Sequence, residues 1–373
     1  MKREDLRASK RIVVKVGTSS ITYPTGKVNL GKMELLAREL SDLHSAGREL
    51  VLTSSGAVGA GVGKLNCPPP SSLPEKQALA AIGQGILMHM YEKFFSEYSK
   101  SVAQVLLTRD CFSDPERYLN SRNTLFSLLN FGVIPIINEN DTVAVDELKF
   151  GDNDTLSAMV ACNVEADLLI ILSDIDGLYD SDPRRNPSAR LIPEVSELTR
   201  EMLVNSKSKG SSLSSGGMFT KLSAARMTMV GGIPLVVASS DEPNIIRRVA
   251  DGENIGTLFL PSREGYASKR QWIAVGSAAT GAVTVDDGAE EALLRRGKSL
   301  LPSGVTKIEG SFKIGDVIGV KNLAGVEIAR GISNYGRDDA EKIKGRHSRE
   351  IEETLGRRDY EELIHRNNMA ILL

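Results

Sequence analysis

Cysteine is scarce in this 373-residue chain. Cys67, Cys111 and Cys162 lie far apart and are odd in number, which excludes a disulfide framework and a zinc-ligand spacing. A reducing cytosol is the expected compartment. An excess of either charge is also lacking: 46 Lys and Arg stand against 48 Asp and Glu, a net charge of −2. That balance excludes a strongly basic chain built to coat nucleic acid, and an acidic tail protein. Apolar runs are short, residues 168–172 being among the longest, so nothing approaches the roughly 20 residues of a membrane helix. Residues 1–10 are polar and mixed in charge, and no secretory signal is expected. The sequons at Asn140 and Asn153 are therefore not expected to carry glycans. There is no repeat of fixed period and no low-complexity tract. The protein-kinase signatures are missing, since Thr108-Arg109-Asp110 lacks the catalytic-loop context and no Asp-Phe-Gly occurs. The four histidines lie away from every motif below and read as ordinary surface or core residues.

What is present is an ordinary globular mix, with 41% apolar and 25% charged residues. At roughly 150 residues per domain the length suggests two or three domains. Short β-branched runs at 12–16, 50–53, 102–107, 133–137, 168–172 and 234–238 alternate with helical periodicity at 33–46, 76–98, from 113, at 154–162 and at 221–230. Such alternation predicts βαβ units and a mostly parallel sheet covered on both faces. Residues 177–217 interrupt the rhythm with a long polar connection, either a nucleotide lid or a surface loop. After Trp272 the pattern changes to short strands at 280–285, 312–316, 317–320 and 326–330, then a helix at 338–344. A small, mostly β second domain is expected there.

Six segments carry chemistry. Lys15 closes a β-branched strand, where an unpaired ammonium is costly, so something anionic should meet it. Gly17 and the hydroxyls of Thr18, Ser19 and Ser20 follow it and suit a phosphate. Thr53-Ser54-Ser55-Gly56 leads from a strand into a glycine-rich turn that is neither a P-loop nor Gly-x-Gly-x-x-Gly. It offers free N–H groups to an anion, or it is simply a close-packing turn. Asn138-Glu139-Asn140-Asp141 stands beyond a strand end, where open α/β sheets hold ligands. It suits an ammonium or a metal, or forms an Asx-rich turn. Asp152-Asn153-Asp154 opens a helix with more polar groups than one cap needs. Ser173-Asp174 ends the most apolar strand. Ser215-Gly216-Gly217-Met218-Phe219-Thr220-Lys221 opens the next helix, where a lysine is unfavourable unless an anion binds. Each segment is weak alone. Four of the six follow strands, which makes chance agreement a poor explanation.

Together, in this order, these blocks resemble those of the amino-acid kinase superfamily, in the branch that acts on the side chain of glutamate. Gly151-Asp152-Asn153-Asp154, Asp176-Gly177-Leu178-Tyr179 with Asp182-Pro183-Arg184, and Gly216-Gly217-Met218 are part of the match. The segment from about residue 280 resembles a PUA domain. The resemblance implies an αβα sandwich on a mostly parallel sheet in residues 1–276, a PUA domain in 280–358 and a tail in 359–373. It implies a soluble cytoplasmic enzyme that phosphorylates the side-chain carboxylate of L-glutamate with ATP and Mg²⁺, the first step towards proline. It implies that Lys15 and Lys221 act on the phosphates and that Asp154 holds them. Lys15, Ser173, Asp174, Ser215, Gly216, Gly217, Met218, Phe219, Thr220 and Lys221 are then the ATP residues. Ser55, Asp141 and Asn153 are the glutamate residues, with Gly56, Asn138 and Asp152 beside them, and no metal is held by the protein. A homo-oligomer is the expected assembly. Alternatives are another carboxylate kinase of the superfamily, or an RNA-binding PUA protein with a kinase-like domain. Residues 280–373 hold 15 basic and 16 acidic side chains, which gives no electrostatic footprint for RNA.

Overall fold

The computed structural model describes residues 1–23, 25–144, 152–181, 183, 186, 188–199, 202, 217–262 and 279–372. The chain divides into two units, Met1–Phe112 with Ser121–Gly265, and Ser113–Asn120 with Tyr266–Leu373.

The first unit is built on an eight-stranded sheet in the order β3-β4-β2-β1-β5-β7-β8-β6. The strands are β1 Arg11–Val16, β2 Glu49–Ser54, β3 Val102–Leu107, β4 Ile134–Glu139, β5 Leu168–Ser173, β6 Glu194–Val195, β7 Leu235–Ser239 and β8 Thr257–Phe259. Pairing is parallel from β3 through β7, and β8 runs antiparallel to β7. The mostly parallel sheet expected from the alternation is what forms. β5 is buried along its whole length, which is why it reads as an unbroken apolar run.

Side chains alternate across each strand, so the two faces build two cores. Ile12, Val14 and Val16 pack on one face with Leu36, Leu40, Leu87, Tyr91 and Ile246. These come from helices α1 Leu30–Ser45, α2 Leu73–Ser96 and Ile245–Ala250. Val13 packs on the other face with Leu156, Val160, Leu222 and Ala225. These come from α3 Asn153–Asn163 and α4 Met218–Val230. The helix starts follow cap chemistry. Asn29 accepts from Lys32 N–H at 3.1 Å, Asp114 from Arg117 N–H at 2.8 Å, and Asp152 from Thr155 N–H at 2.8 Å.

The glycines after β2 have a structural use that sequence alone left open. Gly56 has φ +99°, a left-handed turn, and the chain then enters the helix Ala57–Leu65. That helix crosses α2 so closely that a Cβ on Gly83 would stand 1.7 Å from the Ala57 carbonyl oxygen. Close packing on α2 likewise accounts for Gly61, where a Cβ would meet the Leu79 carbonyl.

The second unit carries a five-stranded sheet in the order β10-β9-β11-β12-β13. Its strands are β9 Gly281–Val285, β10 Val305–Gly310, β11 Val317–Lys321, β12 Glu327–Ile332 and β13 Met369–Ile371. Three expectations need correction here. Residues 312–316 form a turn rather than a strand, with Lys313 N–H donating to Asp316 at 2.8 Å. Residues 359–373 are not a free tail, because β13 pairs antiparallel with β12 and Met369 is buried. Ser113–Asn120, read as an ordinary helix start of the first domain, belongs to this unit. Leu119 is fully buried there against Val317, Ile332 and Ala370.

Candidate active site

Lys15 is the penultimate residue of β1, at the carboxyl end of the sheet's middle, paired with Thr53 on β2 and Ile171 on β5. Its face of the sheet is covered by α3 and α4. Asp154 is the second residue of α3 and has no solvent exposure. Lys221 lies in the first turn of α4, also buried. The three meet. Lys15 Nζ is 2.6 Å from Asp154 Oδ1, and Lys221 Nζ is 3.3 Å from Oδ2. Thr220 Oγ1 stands 2.7 Å from Oδ2 and 2.7 Å from the Gly217 carbonyl. Burial alone would raise the Asp154 pKa, but the two ammonium groups and the Thr220 hydroxyl outweigh it and hold the carboxyl at about 2. The carboxylate therefore stays charged. Two buried cations share one anion, and the group retains one positive charge at the carboxyl ends of the strands. Such an excess attracts an anion and stabilises negative charge that grows during a reaction.

Beside it lies a polar cluster from β2, β4 and α3. The Asn153 amide donates to Ser55 Oγ at 2.8 Å, to Asn138 Oδ1 at 2.9 Å and to the Ser54 carbonyl at 3.1 Å. Asn138 is on β4 rather than just beyond it, since the strand runs to Glu139. Asp152 caps α3 through Thr155, and its carboxyl is pushed up, first by burial. Asp141 follows β4 and stands 4.0 Å from Lys76 Nζ. Gly56 forms the left-handed turn next to Ser55.

Ser173 closes β5, and its hydroxyl donates to Asp174 at 3.1 Å. Gly217 precedes α4, with Met218, Phe219, Thr220 and Lys221 in the first turn. Ser215 and Gly216, with residues 203–214 before them, lie outside the described residues. Among the described residues no three His, Cys, Asp or Glu side chains cluster to hold a metal.

Sequence reasoning missed three participants. Gln84 on α2 accepts from the Asn138 amide at 2.9 Å. Ser54 bonds the fully buried Tyr91 hydroxyl at 2.7 Å, and burial pushes that phenol up. Thr53 is buried on the strand next to Lys15. Gln84 and Tyr91 sit in a helix that reads as core, and Thr53 closes the strand expected at 50–53 with no role of its own, so only the pairing of strands and helices singles them out.

A model of the amino acid kinase family matches residues 10–239, and a PUA domain model matches residues 281–355. A glutamate 5-kinase of Carboxydothermus hydrogenoformans is 53% identical over 372 residues, covering 99% of this chain and 100% of that protein. One from Thermoanaerobacter sp. (strain X514) is 52% identical over 363 residues, 97% of this chain and 98% of that protein. One from Geobacter sp. (strain M21) is 47% identical over 373 residues, all of both chains.

Proposed function

The chain belongs to the amino acid kinase family, in its glutamate 5-kinase branch, and on that premise we propose how its residues divide the reaction among them. The reaction is transfer of the γ-phosphoryl group of ATP to the side-chain carboxylate of L-glutamate, at the start of proline biosynthesis. A carboxylate with a pKa of about 4.3 is already ionised at neutral pH, so no general base is needed. The difficulty is bringing that anion against an anionic triphosphate. Phosphoryl transfer is mostly positioning and charge neutralisation.

Lys15 and Lys221 supply the positive charge at the phosphoryl group in transit, and Asp154 holds both ammonium groups on one carboxylate. Ser173, Asp174 and residues 215–221 take the nucleotide. Mg²⁺ travels with the ATP phosphates, since Asp154 is already committed to two lysines. Ser55 receives a carboxylate of glutamate and Asn153 holds Ser55 in place, with Asn138, Asp152 and Gly56 shaping the pocket. Asp141 pairs with the α-ammonium, its contact to the half-buried Lys76 being long at 4.0 Å. The cytoplasm and a homo-oligomer belong to the same reading, supported by three free thiols and by the family.

The observation that carries this division is the buried Lys15–Asp154–Lys221 group. The test is ATP-dependent acyl phosphate, trapped with hydroxylamine, on glutamate, N-acetylglutamate and aspartate. Glutamate should exceed the acetylated analogue by about a hundredfold or more in kcat/KM, because the acetylated amine carries no charge for Asp141 to meet. Equal turnover of the two would remove Asp141 from the ammonium.

A further inference from the structure

We infer that Gln84 braces the hydrogen-bond polarity that the Glu139 N–H and the Ser54 carbonyl impose on the substrate pocket, so that Ser55 is left as a donor to a carboxylate; this rests on the glutamate reading above. The argument starts from two backbone groups, whose polarity is not a matter of choice. The Glu139 N–H can only donate, and it points at Asn138 Oδ1 at 2.9 Å. The other end of that amide is therefore Nδ2, which must donate. It faces Gln84 at 2.9 Å, so Gln84 must present its oxygen. The Ser54 carbonyl can only accept, and Asn138 Oδ1 is already an acceptor. The Asn153 group facing both, at 3.1 and 2.9 Å, must be its NH₂. That same NH₂ cannot accept, and Ser55 Oγ is the nearest of its three neighbours at 2.8 Å, so Ser55 accepts one of its two protons while the two longer contacts share the other. A hydroxyl that accepts there keeps its own proton for a further partner. An acceptor-only group such as a carboxylate fits it, and an ammonium does not. Position 84 is the remote end of this relay and has one requirement, an acceptor.

The requirement separates polarity from charge. Gln84→Glu keeps an acceptor and adds a negative charge. Gln84→Lys adds the charge that would attract an anionic substrate but offers only donors, so Asn138 must turn its oxygen towards position 84 and lose Glu139 N–H. Gln84→Met offers neither and guards against a lysine variant that fails to fold. With the hydroxylamine assay, Gln84→Glu should stay within about threefold of the parent's glutamate KM, while Gln84→Lys and Gln84→Met should raise it about tenfold, with ATP KM unmoved. A lower glutamate KM in Gln84→Lys with a higher one in Gln84→Glu would replace polarity by simple charge and overturn the inference. So would an equal rise in all three. A second readout does not need turnover. The side-chain NH₂ signals of Asn138 and Asn153 should exchange slowly with water in the parent and in Gln84→Glu, and rapidly in Gln84→Lys. Unchanged exchange in all of them overturns the relay. A parent with slow exchange but no glutamate turnover would instead overturn the substrate reading and leave the relay standing.

Discussion

Asp154→Asn keeps the shape of the side chain and removes its charge. In the parent, two lysines with 8% and 6% side-chain exposure share one carboxylate. In the variant, two buried ammonium groups face an amide that can accept from only one of them while its NH₂ opposes the other. Removing one partner of a buried ion pair costs about 3–5 kcal/mol, because the remaining charge is uncompensated. The lysines relieve part of that by turning outward. A second route gives a similar size. The Asp154 carboxyl lies at about 2 in the folded chain against 3.8 when free. At about 1.36 kcal/mol per pH unit this difference is worth about 2.5 kcal/mol. The folded value is the lower one, so the contribution is complete above pH ~4 and is lost as pH falls towards ~2. A loss of about 2.5–4 kcal/mol should lower Tm by roughly 5–15 °C for a unit of this size. Turnover should fall by about a hundredfold, since the cations lose their alignment. The assay is thermal unfolding at pH 7 and at steps down to pH 3, with glutamate-dependent turnover at pH 7. The difference in Tm should shrink as the pH falls, and ATP should stabilise the variant more than the parent, because its phosphates replace the missing anion. A variant that melts with the parent and turns over within threefold of it would refute the account of the site.

Asp141→Asn should raise glutamate KM by about thirtyfold or more and leave ATP KM unchanged, from the loss of a desolvated charge pair; a rise in ATP KM alone would assign Asp141 to the nucleotide. Gly83→Ala should destabilise the first unit by about 1–3 kcal/mol, because the added Cβ meets the Ala57 carbonyl at 1.7 Å; a parental urea midpoint would show that the crossing of α2 with Ala57–Leu65 is looser than described. Ending the chain near residue 277 should expose Leu119, whose partners Val317, Ile332 and Ala370 are removed, at a cost of about 1.5–3 kcal/mol. The truncated chain should melt below the full chain, and an unchanged Tm would free residues 113–120 from the second unit.

The sheet was legible because buried parallel strands leave a local signature. Residues 168–172 are apolar without alternation since both faces of β5 are covered. The cap at Asp152 was legible for a similar reason, as cap chemistry lies within three residues of the helix start. The segments that failed depend on partners distant in sequence. β13 has three residues and exists through its pairing with β12, and Leu119 is buried by strands that come some two hundred residues later. The turn at 312–316 alternates as a strand does, and it is closed by Lys313 N–H on the Asp316 carboxylate and Asp316 N–H on the Lys313 carbonyl.

The site divides along the same line. Sequence singles out Lys15 as a charge out of place on a buried strand, Lys221 as a cation at a helix start, and Asp154 as part of a polar run longer than one cap needs, its hold on the two lysines being implied by the resemblance. An unpaired ammonium at a strand end and another in the first turn of a helix are both unfavourable alone, and so is a fully buried carboxylate. Three separate penalties become one favourable group when β1, α3 and α4 converge, with Nζ to Oδ distances of 2.6 and 3.3 Å. Misplaced charge is thus readable from sequence even where its partner is not. Gln84 shows the opposite case. It is neutral, sits on an apolar helix and violates no local preference, so nothing marks it before the fold exists. Its importance comes from the direction of a hydrogen bond, and that direction is set by the Glu139 N–H two groups away. A residue whose role is to orient a neutral amide incurs no local penalty, so it is found only when the donors and acceptors around it are counted.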